Sequence, residues 1–203
     1  APHGRRAACG SRRASRRARA RVAAQRCMWR TGCRGWKVPE RYEIRELISR
    51  GHYCSVCEAH DQTAKEPVMV KKVGRMFEDL SDSRSVLREL VLMSELRHPR
   101  ILGMKDLFAP AEDFTDELYI VTELCDSDFK KLCRMDMHLR VLHIQTLLYN
   151  VLMGLKYLHS VGIVHCDLKP AHCLVNRDCA VRLCGLSRAR AVDERRPAAA
   201  PPD

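Results

Sequence analysis

Apolar and polar residues alternate through YEIRELI, residues 42–48, and the pattern predicts a half-buried strand. SVCEAH (55–60) reads as its hairpin partner, and EPVMVKKV (66–73) as a third strand with Pro67 at its entry. Between 81 and 97 the spacing becomes helical: Val86, Leu87, Leu90 and Met93 share a face, with Ser81 or Asp82 available as a cap. ELYIVTEL (117–124) is again strongly β-forming, so strands precede and follow one helix.

After residue 125 the pattern turns helical. Ile144, Leu147, Leu148, Val151, Leu152, Leu155 and Leu158 define a long helix over 138–160 with a wide apolar face, ending near His159 and Gly162. Two short apolar runs, CLVN (173–176) and AVRLC (180–184), suit a small hairpin. DERRPAAAPPD at the end is of low complexity. A β-rich first half followed by a helical second half indicates two lobes of an α+β fold. The expected division is a tail over 1–37, an upper lobe with its connector over 38–125, a lower lobe over 126–190, and a disordered end over 191–203.

Composition changes this picture at one end. The 203 residues are 46% hydrophobic, enough for a core, and no apolar run is long enough to span a membrane as a helix. The formal net charge is +11, yet residues 1–36 hold eleven arginines and no lysine, aspartate or glutamate. The remaining 25 basic residues are matched by 25 acidic ones, so the body is neutral and the tail carries the excess. Three readings fit such a tail: a phosphate-binding arm for nucleic acid, an organelle transit peptide, or a solvated extension without function. No aromatic residue interleaves with the arginines before Trp29, which argues against base stacking. Low complexity and the absent initiator Met also fit a misplaced start. The eleven cysteines are odd in number, without a visible signal peptide, and the Cys54–Cys57 CxxC has no second pair at a zinc-like spacing. Reduced, mostly buried thiols in an intracellular protein, cytoplasmic or nuclear, are the expectation.

The order of VPERYEIRELI, VMVK, LREL, GLKYLHS and HCDLKP resembles a eukaryotic protein kinase, and these phrases are most similar to the MAP kinase group. The resemblance covers residues 38 to about 190 and implies a two-lobed kinase fold with ATP as phosphoryl donor and magnesium as its metal. It makes Lys71 of VMVK the contact to the α- and β-phosphates and Glu89, eighteen residues on, its ion-pair partner. Taken alone, those two are an ordinary surface lysine and a solvated helix glutamate. In the glycine-rich loop, SRGHYCSV, only Gly51 is kept, with Ser49 and Cys54 at the outer glycine positions. Ile48, Val56, Met69 and Leu174 line the nucleotide slot by the same resemblance, with Met69 replacing a smaller alanine. Thr122 becomes the gatekeeper, Glu123 and Cys125 offer backbone groups to adenine, and Asp128 is within reach of the ribose.

The stretch HCDLKPAHC, 165–173, resembles the family's catalytic loop with pieces replaced. Asp167 and Lys169 stand where the family orients the substrate hydroxyl and stabilises the transferring phosphate. Cys166 replaces an arginine, and His172 replaces the asparagine that holds magnesium. Magnesium is hard and prefers oxygen, so His172 is a poor metal ligand. The family's second metal ligand, the aspartate of DFG, is also missing. Aligned without a gap, Gly185, Leu186 and Ser187 occupy those three places; aligned with a gap, Asp and Phe are deleted and Gly185 is the surviving glycine.

Losing one preorganised electrostatic contact costs about 2.7–4 kcal/mol, or roughly 100- to 1000-fold in rate, so losing two metal contacts brings turnover towards background. Nothing after residue 190 resembles the APE segment or the helices that complete the lower lobe, so that lobe is expected to be truncated. The long helix would then show its apolar face to solvent or a partner. Three readings follow: a MAP-kinase-like Ser/Thr kinase acting on a protein substrate or bound to a scaffold, a pseudokinase that binds nucleotide or a partner, or a remnant. The resemblance offers no membrane role.

Overall fold

A computed structural model of the chain describes residues 35–51, 54–75, 79–110, 116–136 and 138–192. The Arg-rich tail up to residue 34 and the end from residue 193, with the nucleic-acid, transit and disorder readings attached to them, lie outside the described residues. No described helix is long and apolar enough to cross a membrane.

Strands β1 (Tyr42–Arg50), β2 (Cys54–Asp61), β3 (Glu66–Val73), β4 (Met104–Phe108) and β5 (Leu118–Glu123) form one antiparallel sheet in the order β1-β2-β3-β5-β4. The three leading strands lie where alternation predicts them. Strand alternation splits β3 between two cores. Val68 and Val70 join Tyr42, Ala59, Tyr119 and Val121 on the outer face. Met69 and Val73 face the opposite way, into a cluster with Leu90, Met93 and Ile120 beneath helix α1 (Leu80–Glu95). β4 escapes the periodicity reading because MKDLF is only five residues long and two of them are charged.

α1 corrects two expectations. Its cap is Asp79, not Ser81 or Asp82: the Asp79 carboxylate accepts from the Ser81 backbone N–H at 2.6 Å, while Ser81 and Asp82 already lie in the first turn. Leu87 does not share the buried face of Leu90 and Met93; it is exposed on the outer side.

Below the sheet lie α2 (Phe129–Leu132) and α3 (Val141–Ser160). β6 (Ser127–Asp128), β8 (Cys173–Val175) and β9 (Val181–Leu183) form a three-stranded sheet, and β7 (Ile163–Val164) pairs with β10 (Arg190–Ala191). The expected hairpin over 173–184 is the β8–β9 pair. α3 begins three residues later than its apolar pattern suggests, with extended Arg140 at its N-cap. It stops at Ser160, and Gly162 follows with φ +70°, where glycine carries no Cβ penalty. Leu147, Val151 and Leu158 are buried against β8 and β9, whereas Ile144, Leu148 and Leu152 of the same expected face are exposed. Gly154 lets this helix approach closely, since a Cβ there would fall 2.8 Å from Leu183 Cδ1. The result is the two-lobed α+β architecture expected from the sequence, with a connector at 123–127 between sheet and helices.

Candidate functional site

Lys71 stands on β3 directly opposite Val56 on one side and Ile120 on the other, so all three share the α1 side of the sheet. Helical periodicity brings Glu89 to the same place from α1, beside buried Leu90. Lys71 Nζ lies 2.9 Å from Glu89 Oε2. Burial disfavours the ammonium, but the charge and hydrogen bond of Glu89 outweigh it, and the lysine pKa stands above its ordinary value. Cys184, at the end of β9, sits near this pair; burial, then the Glu89 charge, pushes its thiol up to about 12.

Around these residues lie the other candidates for the nucleotide slot. Gly51 donates its backbone N–H to the Cys54 carbonyl at 2.7 Å, closing the turn between β1 and β2. Ile48 and Val56 are half-buried on those strands. Met69 lies opposite Thr122, and Met69, Cys125, Leu174 and Cys184 pack around one apolar cluster. Thr122 is buried and donates its hydroxyl to the Glu123 carbonyl at 3.2 Å. Burial pushes the Cys125 thiol up to about 11. Asp128 caps α2 by accepting from the Lys131 N–H at 2.8 Å through one carboxylate oxygen, Oδ1. The CxxC pair is split, because residues three apart on a strand face opposite ways, and Cys57 is disulfide-bonded, which corrects the expectation of reduced thiols at this position.

The catalytic-loop candidates form a second group. Buried His165 fixes its base: one ring nitrogen donates to the Cys184 carbonyl at 3.0 Å, and the other accepts from the Asp167 N–H at 3.3 Å. Cys166 takes φ +58°, an unusual left-handed conformation for a residue with a side chain. Lys169 Nζ donates to Asp167 Oδ2 at 3.0 Å, and this bond holds the Asp167 carboxyl below its ordinary range. His172 ends a 3₁₀ turn, where its Nδ1 donates to the Asp167 carbonyl at 2.8 Å and lies 3.5 Å from Asp167 Oδ2. Burial, with Lys169 and His165 acting the same way, pushes the His172 pKa down. The two groups meet at Cys184, whose N–H donates to the His172 carbonyl at 3.0 Å.

Gly185 follows with φ +75° and no room for a side chain, since a Cβ would fall 2.6 Å from His172 Cε1 and Nδ1. Leu186 is buried in the lower core, and Arg88 of α1 donates to the Ser187 carbonyl at 2.6 Å.

Among the described residues no three His, Cys, Asp or Glu side chains lie together as metal ligands. Asp167 is paired with an ammonium, the His172 Nδ1 carries a proton towards a carbonyl, and residue 185 offers no oxygen side chain.

One contact was not anticipated from the motifs. Arg182, between buried Val181 and Leu183 on β9, donates through Nε to Glu123 Oε1 at 2.7 Å. The apolar–Arg–apolar pattern of that strand was the available signal, because alternation turns the middle residue away from the core.

Comparison with known proteins shows the family to which the chain belongs. The model of the protein kinase domain matches residues 42–200. Mitogen-activated protein kinase 14 of Xenopus laevis is 37% identical over 161 residues, covering 78% of this chain and 44% of that protein. Extracellular signal-regulated kinase 1 of Dictyostelium discoideum is 37% identical over 157 residues, covering 77% of this chain and 30% of that protein. Mitogen-activated protein kinase 16 of Arabidopsis thaliana is 40% identical over 152 residues, covering 74% of this chain and 27% of that protein. The chain therefore spans less than half the length of these relatives.

Proposed function

The chain belongs to the protein kinase family and is MAP-kinase-like, and from that premise we propose that its cleft binds ATP but transfers the γ-phosphate to Ser/Thr of proteins poorly or not at all. The Lys71–Glu89 ion pair carries the binding half of the proposal, because it holds an ammonium in the cleft at 2.9 Å from its carboxylate. Lys71 contacts the α- and β-phosphates. Backbone groups of Glu123 and Cys125 meet the adenine edge, while Ile48, Val56, Met69 and Leu174 cover its faces. Gly51 turns the chain back over the phosphates, Thr122 limits the depth of the slot, and Asp128 keeps its cap while reaching the ribose.

Charge accounts for the impaired half. Phosphoryl transfer depends on positioning and on neutralising charge spread over the γ-phosphate oxygens. Here the two lysines are each matched by a carboxylate, Lys71 by Glu89 and Lys169 by Asp167. Their sum is zero. His172, its pKa lowered, adds no charge at neutral pH, and the donors around Asp167 suit no magnesium ion. Asp167 still orients a substrate hydroxyl, but a carboxylate held ionised by Lys169 is a weakened base.

Transfer of labelled γ-phosphate to a Ser/Thr-rich protein by the full chain, with Lys71→Ala and Asp167→Asn, tests this reading. The expected rate lies within a few-fold of the Asp167→Asn rate and well below the roughly 1–100 per second of working kinases. Magnesium-dependent turnover in that working range, abolished by Asp167→Asn, would contradict it.

A further inference from the structure

Arg182 joins three segments distant in sequence. Its Nε donates to Glu123 Oε1 at 2.7 Å, at the upper end of the connector, and its Nη1 donates to the Pro99 carbonyl in the turn after α1. Its neighbour holds the same turn from the backbone: Leu183 N donates to the Arg100 carbonyl and Leu102 N to the Leu183 carbonyl, both at 2.9 Å. Arg182 itself lies opposite Leu174 on β8, the candidate floor of the adenine slot.

The lower end of the connector is fastened separately. Ser127 and Asp128 pair with Val175 and Leu174, Asp126 N donates to Asn176 Oδ1 at 3.2 Å, and Arg177 N donates to Asp126 Oδ2 at 3.0 Å. The β8–β9 hairpin thus holds both ends of a five-residue span, Glu123–Ser127, and Arg182 supplies the side-chain hold at the upper end. Both partners of that hold are largely shielded, with Arg182 19% and Glu123 30% exposed, so water competes with it less than with a surface pair.

We propose that Arg182 is a positioning residue for the nucleotide: it fixes the carboxylate of Glu123, and through it the backbone offered to adenine, against the turn that carries α1. The role rests on reading the cleft as a nucleotide site. A guanidinium suits it because two nitrogens of one rigid plane reach two acceptors, which a lysine ammonium on a flexible stem does not reproduce.

Amide hydrogen exchange of the full chain and ATP affinity, measured for wild type, Arg182→Ala and Arg182→Lys, test the two halves separately. Arg182→Ala is expected to speed exchange about tenfold or more at 99–102 and 123–125, to leave the β1–β3 amides unchanged, and to weaken ATP binding about tenfold. Arg182→Lys recovers protection at 123–125 and part of the affinity, but not protection at 99–102. Exchange that is unchanged at both segments, or raised equally throughout the chain, overturns the hold. Faster exchange with unaltered ATP affinity overturns the positioning role. A wild-type chain that binds no ATP removes the nucleotide reading and the positioning role with it, while the exchange pattern still decides whether Arg182 holds the connector.

Discussion

The His172 imidazole lies against the backbone of Gly185 so closely that a Cβ at residue 185 would stand 2.6 Å from ring atoms Cε1 and Nδ1. Histidine in the catalytic loop and glycine at the exit of β9 are therefore one steric unit. Restoring an acid at 185 alone forces the ring out of its hydrogen bond to the Asp167 carbonyl.

Gly185→Ala should destabilise the full chain by about 2–4 kcal/mol, from the left-handed φ together with the clash. In a His172→Ala background only the backbone part remains, about 1–2 kcal/mol. Urea unfolding of the four proteins in this cycle measures the coupling, and strictly additive losses would show that the contact is not made.

Packing on α3 separates residues that its periodicity treats alike. Leu158→Ala, at a fully buried position, should cost about 2–5 kcal/mol. Leu148→Lys and Leu152→Lys, on the exposed stripe, should stay within about 0.5 kcal/mol in the same unfolding measurement. Comparable losses at all three positions would mean that the stripe is covered.

Acid should weaken the fold partly through His98, which stacks on Tyr157 at 4.5 Å between centroids. Burial, then Arg100 and Arg182, lowers its pKa below 6.5. The folded state binds the proton less readily than the unfolded chain, so the stabilising contribution is complete above the unfolded value and lost as pH falls through the folded one. Melting temperature should drop between pH 7.5 and 5.5, and His98→Phe, which keeps an aromatic ring on Tyr157, should flatten part of that drop. His172 shifts in the same direction and accounts for a further part.

Thiol chemistry should ignore the cleft. Burial pushes Cys184 up to about 12 and Cys125 and Cys173 up to about 11, so little thiolate exists there at pH 7.5. Among the cysteines of the described residues, iodoacetamide labelling read by mass spectrometry should mark exposed Cys133 and Cys166 first, and those three only after unfolding.

The elements that carry the candidate site were legible because their signals are local. The period-two strand bearing Lys71 and the helix bearing Glu89 both survive in the fold, while the roles given to the two residues rest on the family resemblance. Contacts set by backbone hand or long separation were not legible. Gly185 meets His172 only because residue 185 is left-handed, and Arg182 meets Glu123 across 59 positions. Leu87, Leu148 and Leu152 misled the reading for a different reason: apolar periodicity shows which residues can share a face, while the neighbours present decide how wide a face is buried. That Asp79 caps α1, where the sequence offered Ser81 or Asp82, turned on one extended φ, which sequence does not report.

ATP binding without dependence on magnesium is the central claim, and thermal unfolding of the full chain tests it most directly. At a hundred times its dissociation constant a ligand adds about 2.7 kcal/mol, an easily read shift. An equal shift in EDTA and in magnesium, lost in Lys71→Ala, is predicted. A shift that appears only with magnesium, or none in either buffer, would contradict the account.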